Sequence, residues 1–277
     1  MLSMLKSLVI ALLLSSTLQA SATNKSIEDF LQRSFSQNKN IKSLDIKVNT
    51  QVDVKNMKGW KAFIVDIDAV LKKDNRNVKQ KMVWFSNGLV VTQDLINIKT
   101  GDSLKDLVSP TFKESYYKQS KLIYGNANAK HKVVIFSDPL CPFCKNFVPK
   151  AIKYMKKQPD MFAIYYFHFP LPSLHPAAVE LVKAAYLAQK QGKKDVVLRL
   201  YDVKLENPRE RNVAKILQAF NKTFGTHITP SELQAPDVKK YFEEDLKIAA
   251  SMMVQGTPTM FFDGKVDKKK KKYLKAH

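Results

Sequence analysis

The 277-residue chain has only two cysteines, Cys141 and Cys144. A chain of this size with two cysteines is not held together by a disulfide framework. No second Cys pair exists, and His131, His168, His175 and His227 show no ligand spacing. A four-ligand structural zinc site within one chain is therefore not expected. Long apolar runs are also scarce. Leu8–Leu14 is the longest, and it is too short to span a bilayer, which takes ~20 residues. Acidic residues are few: 46 Lys and Arg face 25 Asp and Glu, for a net charge of +21. The lysines are scattered with acids between them, and only Lys268–Lys272 forms a dense block. Nucleic-acid binding calls for basic residues gathered on one surface beside aromatics. A solvated basic face and tail fits this distribution better, and no nucleic-acid partner is expected. No internal repeat and no Gly/Ser tether interrupt the chain.

What is present begins with the N-terminus. Lys6, the apolar run and Ala20-Ser21-Ala22 have the layout of a secretory signal peptide over residues 1–22. An uncleaved membrane anchor is the alternative. Cleavage leaves about 255 residues, enough for two domains with a core each. Export also places the two thiols where disulfides form.

Residues 23–100 carry the signals of a small α+β unit. Ile27, Phe30, Leu31 and Phe35 recur at helical spacing, predicting a helix over 26–40 with Ser26 as N-cap. Ile46, Val48, Val52 and Val54 then alternate with polar residues, as in a strand with one wet face. Trp60–Val70 reads as a second strand, and Asn87-Gly88 joins two more as a hairpin. This unit holds no cysteine, no histidine and no clustered carboxylates, so scaffolding or self-association is its expected role. Residues 101–119 are read as a linker helix in two pieces, with Ser109 capping and Pro110 at the first position of the second piece.

From residue 120 the pattern changes to short strand, apolar strand, helix and aromatic strand. A helical block follows over about 174–250, and then a hairpin around Asp263-Gly264. The expected fold class is α/β: a thioredoxin fold over 120–277 with helices inserted in its middle.

Both cysteines sit where the apolar strand Lys132–Phe136 turns into a helix, as Cys141-Pro142-Phe143-Cys144. A thiol reacts as its thiolate, and a helix N-terminus stabilises negative charge with unpaired amides and its dipole. Cys141, at the tip, is the expected nucleophile. Cys144, one turn further in and more buried, is the expected resolving thiol. Pro142 supports the helix start, where its missing N–H costs nothing. Phe143 lies between the sulfurs and is a candidate client contact. Gly256-Thr257-Pro258 precedes the last apolar strand. A proline there is either an ordinary trans residue or a cis-proline in a tight turn. Its place opposite the cysteines in the element order favours cis, making Thr257 and Pro258 a client-facing turn. His168 and His175 are expected in loop or packing roles, and no metal or cofactor is required beyond a Cys141–Cys144 redox-active disulfide.

With Phe136-Ser137-Asp138, Cys141-Pro-Phe-Cys144 and Gly256-Thr257-Pro258-Thr259 in place, the chain resembles the bacterial periplasmic thiol–disulfide isomerases of the DsbC/DsbG type. Leu95–Gly101 is similar to the end of that family's N-terminal domain. The resemblance implies a periplasmic homodimer. Small α+β (cystatin-like) dimerisation domains would pair, and two catalytic domains would face a shared cleft. It also implies misoxidised or unfolded exported proteins as clients, and a membrane thiol reductase of the DsbD type as partner. Thr257 before the proline looks isomerase-like, whereas relatives with valine there look oxidase-like. Many relatives keep a buried acid six residues before the nucleophile; here that position is Ile135. Two alternatives stay open. One is a DsbA-like oxidase served by a DsbB-type partner. The other is a periplasmic holdase chaperone with thiols of secondary importance.

Overall fold

The computed structural model describes residues 22–55, 57–75, 77–207 and 209–276. The signal-peptide reading of residues 1–22 falls almost wholly outside them. Among the described residues no helix is long and apolar enough to cross a membrane.

The N-terminal unit is one helix on a four-stranded antiparallel sheet, in the order β1-β2-β3-β4. Helix α1 runs Asn24–Ser36. It starts earlier than the apolar spacing suggests, because Thr23 is the N-cap. Thr23 and Ser26 form a reciprocal capping box, so Ser26 is the third helical residue and not the cap. The strands are β1 (Ile41–Asp53), β2 (Lys61–Leu71), β3 (Asn77–Ser86) and β4 (Val91–Thr92). Ile27 and Leu31 of α1 pack on Ile46, Phe63, Val65 and Trp84, one face of the sheet. The Asn-Gly hairpin joins β3 to β4, pairing Ser86 with Val91, with Gly88 at φ 95°. Its loop spans residues 87–90, longer than the two-residue turn the dipeptide favours, because the Ser86 hydroxyl accepts from Gly88 N and donates to the Val90 carbonyl.

The connector corrects the linker-helix expectation. Helix α2 covers only Lys105–Val108, a single turn. Ser109 ends it instead of opening a new one, with ψ at 137°. A residue before proline is pushed out of the α region by the pyrrolidine ring. Beyond Pro110 the chain runs through 3₁₀ turns at Glu114–Tyr116 and Gln119–Lys121.

The second unit is a five-stranded sheet in the order β5-β7-β6-β8-β9. Its strands are β5 (Leu122–Tyr124), β6 (His131–Ser137), β7 (Phe162–His168), β8 (Thr259–Phe262) and β9 (Lys265–Val266). Strands β6 and β7 are parallel, and the other pairs are antiparallel. Helix α3 (Pro142–Met155) crosses over between the parallel pair. The inserted helices are α4 (Ala178–Lys190), α5 (Val196–Leu200), α6 (Val213–Phe224) and α7 (Pro236–Ser251). Asn212 caps α6 with its side chain, and Gly225 closes it in the left-handed region.

Both faces of this sheet are covered, which is why β6 reads as a near-continuous apolar run. Alternation divides its side chains. Val133 and Ile135 join Val148, Ile152, Tyr166 and Tyr201 on the α3 side. Val134 and Phe136 join Phe112, Phe167, Ala249 and Phe261 on the α7 side. Each fully buried phenylalanine contributes roughly 2–3 kcal/mol of transfer free energy. The inserted helices have a core of their own, from Leu181 and Ala185 to Phe220 and Leu233. The insertion is thus a folded layer, and α5 brings Val197 and Tyr201 down onto the α3 side of the sheet.

Candidate active site

The parallel β6–β7 pair fixes where the chemistry sits, since β6 hands the chain directly to α3 at its carboxyl end. Cys141 is the N-cap of α3, in extended conformation, and Pro142 is the first helical residue. Cys141 is 5% exposed and Cys144 is fully buried, and both are free thiols. Phe143 between them is 77% exposed. The Cys141 thiol donates to the Thr257 carbonyl at 3.6 Å. The structure thus brings Cys141, Cys144 and Thr257 together, and the Thr257–Pro258 peptide bond is cis. Phe143 is left largely in solvent.

Burial pushes the Cys144 thiol up to about 11, against the polar groups of Ser137, Thr257 and the Asp138 backbone, which pull it down. At neutral pH burial holds the Cys144 thiol protonated.

Asp138 is fully buried and holds the loop that presents the cysteines. Its carboxylate accepts from Leu140 N at 2.7 Å and from Leu171 N and His175 Nδ1, each at 2.8 Å. One side chain therefore ties the 139–141 turn to the loop leading into the insertion. Sequence reasoning assigned His175 no role near the chemistry, and only the adjacency of Asp138 to the cysteine motif could have pointed there. His168 does fill a packing role. It is buried at the end of β7, where burial and then the Lys121 charge push its imidazole down to about 3. Its backbone N–H donates to Asp245 of α7. Asp245 and Lys121 form a fully buried ion pair at 2.5 Å, and Lys121 also lies 3.3 Å over the Tyr241 ring.

Beneath Cys144 the site has a floor of hydroxyls. Ser137 and Tyr201 oxygens are 2.7 Å apart, and Tyr201 and Tyr166 oxygens 2.8 Å apart, all buried. Tyr201 lies 64 positions beyond Ser137 and belongs to the insertion, so no sequence motif joins them.

A four-residue thiol pair at the tip of the helix after the first parallel strand, facing a Thr-Pro turn, defines a thiol–disulfide oxidoreductase of thioredoxin fold. The family model described as Thioredoxin matches residues 118–276, more than half of the chain, and the chain belongs to that family. No curated protein matches the chain. Among solved structures it is similar to Proteus mirabilis ScsC in a compact conformation. That likeness has 24% identity over 56% of this chain and 74% of the other, with a TM-score of 0.44. Oxidised BdbD from Bacillus subtilis is 21% identical over 60% of this chain and 91% of that one, with a TM-score of 0.45. A putative protein-disulfide isomerase from Pseudomonas syringae is 14% identical over 55% and 91%, with a TM-score of 0.45.

Proposed function

We propose that the protein is a disulfide isomerase that rearranges wrong disulfides in exported proteins, with Cys141 as nucleophile and Cys144 as resolving thiol. The observation that carries this is the placement of the pair at the start of α3 beside the Thr257–Pro258 turn. Cys141 stands at the helix tip against Thr257, while Cys144 is sealed beneath it. Attack by the Cys141 thiolate on a client disulfide forms a mixed disulfide and releases one client thiolate. A buried, protonated Cys144 resolves that adduct slowly. The freed client thiol then has time to attack another client sulfur, which is rearrangement and not net reduction. Thr257, Pro258 and the exposed Phe143 supply the surface a client chain meets.

Two copies acting together fit the N-terminal unit. Leu89, Val90, Ile96 and Ile98 are exposed there, Ile98 at 96%, beside the edge strand β4. An apolar group of this kind at a sheet edge suits pairing with a second copy. Two tethered sites raise the effective concentration of one for a client bound by the other. Location in the periplasm and recycling by a membrane thiol reductase follow from the signal-like N-terminus and from the need for a reduced pair.

The test is refolding of a scrambled multi-disulfide protein by the pre-reduced full chain. Recovery of native pairing, lost in Cys141→Ala, is expected. Formation of disulfides in a reduced client without reshuffling of a scrambled one would favour the oxidase alternative. Sedimentation of the chain as a monomer at micromolar concentration would remove the paired-site part of the proposal.

A further inference from the structure

Two groups of lysines lie far apart in the chain, and the fold gathers them onto one surface. The first is on α3. Residues 142–158 hold five lysines and no acidic residue. Positions three, four and seven apart share a face of a helix. Lys150, Lys153 and Lys157 therefore form one exposed stripe, and Phe143 stands in line with Lys150 and Lys157 at seven-residue steps. The second group is the C-terminal block Lys268–Lys272 with Lys275. The 3₁₀ turn Lys272–Lys275 ends it, and the buried Tyr273 of that turn packs into the α3 side of the core. The Tyr273 ring stands edge-on to Phe147 at 6.5 Å and to Tyr154 at 5.5 Å. The tail is thus pinned alongside the stripe.

Acids do not neutralise either group. Asp267 is the only acid in 264–276, and it is buried, its carboxylate accepting from the Lys272 N–H at 2.8 Å. Among the described residues the three stripe lysines, Lys269, Lys271 and Lys275 form no ion pair, whereas Lys156, to one side, pairs with Asp195 at 2.9 Å. The surface also carries apolar groups. The second unit leaves four large apolar side chains exposed among the described residues, and three of them, Phe143, Tyr154 and Leu274, stand among these lysines. Lysines with apolar side chains between them are the composition of a surface that lies on a bilayer: ammonium groups meet lipid phosphates while apolar groups enter the headgroup layer. An acidic unfolded polypeptide would answer the charge as well. The side of a helix is convex and gives a polypeptide no groove, whereas a planar lipid surface meets it along its whole length, about 20 Å for α3.

We propose that the exposed side of α3 and the C-terminal turn form a docking surface for anionic phospholipid bilayers. The lysines meet headgroup phosphates, and Phe143, Tyr154 and Leu274 enter the headgroup layer. Cys141 is the N-cap of the same helix, so docking holds the reactive thiol at the lipid surface. A thiol or disulfide carried by a membrane protein then meets it by search in two dimensions instead of three. The inference goes beyond the proposed function, since it requires neither isomerisation nor a particular redox partner.

The test is co-sedimentation of the full chain with lipid vesicles. Binding to phosphatidylcholine alone gives the contribution of residues 1–22, and the gain on equimolar phosphatidylglycerol gives that of the basic surface. The gain is expected to disappear in ~1 M salt, where charges are screened beyond about 3 Å. One lysine near an anionic surface is worth roughly fivefold in affinity, so Lys150→Gln, Lys153→Gln and Lys157→Gln together should lower the gain about hundredfold. Lys269→Gln, Lys271→Gln and Lys275→Gln should do so independently, which decides the matter if the helix variant folds poorly. Arginine at the same positions should retain the gain, and Leu274→Ala should weaken it severalfold. Lys47→Gln, Lys55→Gln and Lys58→Gln, exposed on the N-terminal unit, remove the same charge and should change little. An equal loss in that N-terminal set overturns the proposal, because net charge alone would then explain binding. So does the absence of a gain with anionic lipid, or a gain that salt leaves intact. Tighter capture of soluble poly-glutamate than of vesicles, lost in the same variants, overturns the bilayer as the occupant. Cys141→Ala should bind vesicles as the unaltered chain does, so failure of scrambled-protein refolding counts against the isomerase and not against this surface.

Discussion

Replacement of Asp138 by alanine should loosen the active-site turn and destabilise the catalytic domain together. The carboxylate is fully buried and accepts three hydrogen bonds, from Leu140 N, Leu171 N and His175 Nδ1. Alanine leaves both backbone amides and the imidazole without that acceptor. An orphaned donor costs ~1–3 kcal/mol, and these donors are partly buried, so about 1 kcal/mol apiece is the fitting scale. The sum is roughly 3 kcal/mol. For a domain of this size 1 kcal/mol moves the melting temperature by ~2–4 °C. A drop of about 6–12 °C is therefore expected by calorimetry or circular dichroism. Asp138→Asn keeps the volume and one good acceptor oxygen but turns an amide toward a donor, and should cost about half as much. The same variants should slow Cys141 attack on a small disulfide, because the turn carrying Cys141 loses its anchor. A loss below about 1 kcal/mol for the alanine variant, with unchanged attack rate, would refute the idea that one carboxylate holds the two loops.

His168 should make the fold sensitive to acid. Its folded value near 3 lies below the ordinary imidazole value of 6.5, so the unfolded chain binds the proton more readily between those limits. Stability is then unaffected above about pH 6.5 and falls as pH drops toward 3, by ~2 kcal/mol at pH 5 at 1.36 kcal/mol per unit. His168→Phe should flatten that part of a denaturant-midpoint profile taken against pH. Lys121→Met should cost about 3–5 kcal/mol because it strands the buried Asp245, and Asp245→Asn in the same chain should restore part of it; an additive double-variant loss would show no coupling. Gly125→Ala places a methyl 1.9 Å from the Phe162 carbonyl oxygen at a φ of +83°, and should reduce soluble yield or stability sharply. Phe143→Ala, at a site 77% exposed, should leave the melting temperature within about 1 °C while weakening binding of an unfolded client.

The parts of this structure that sequence reveals are those with a short-range cause. The helix after Cys141 follows from Pro142 at its start, and the two-sided burial of β6 from its unbroken apolar run. Hairpin pairing at Asn87-Gly88 and the helix stop at Gly225 have equally local origins. The misses also have physical reasons. Thr23 captured the helix start because a capping box outweighs the first apolar residue. Ser109 ended a helix where a cap-then-proline pattern promised a new one, since the same dipeptide serves both ends. The buried pair Lys121–Asp245 and the contact of His175 with Asp138 join residues far apart in the chain. Nothing in their neighbours' composition marks a lysine as buried or a histidine as loop-tying. The floor below Cys144 was least legible of all, since Tyr201 lies in helices whose pattern reports only their own core.

The place of Tyr201 bears on how far this enzyme divides into parts. The inserted helices have a separate core, and they invite treatment as a cassette to be shortened or exchanged between relatives. Yet the turn after α5 carries Tyr201 to the underside of the reactive pair, against Ser137 and Tyr166. A grafted insertion of the right length but with phenylalanine there would fold over the sheet and leave Ser137 without its neighbour. Chimeras built at the insertion boundaries therefore inherit part of the packing around Cys144 from the donor of the helices, not from the donor of the cysteines.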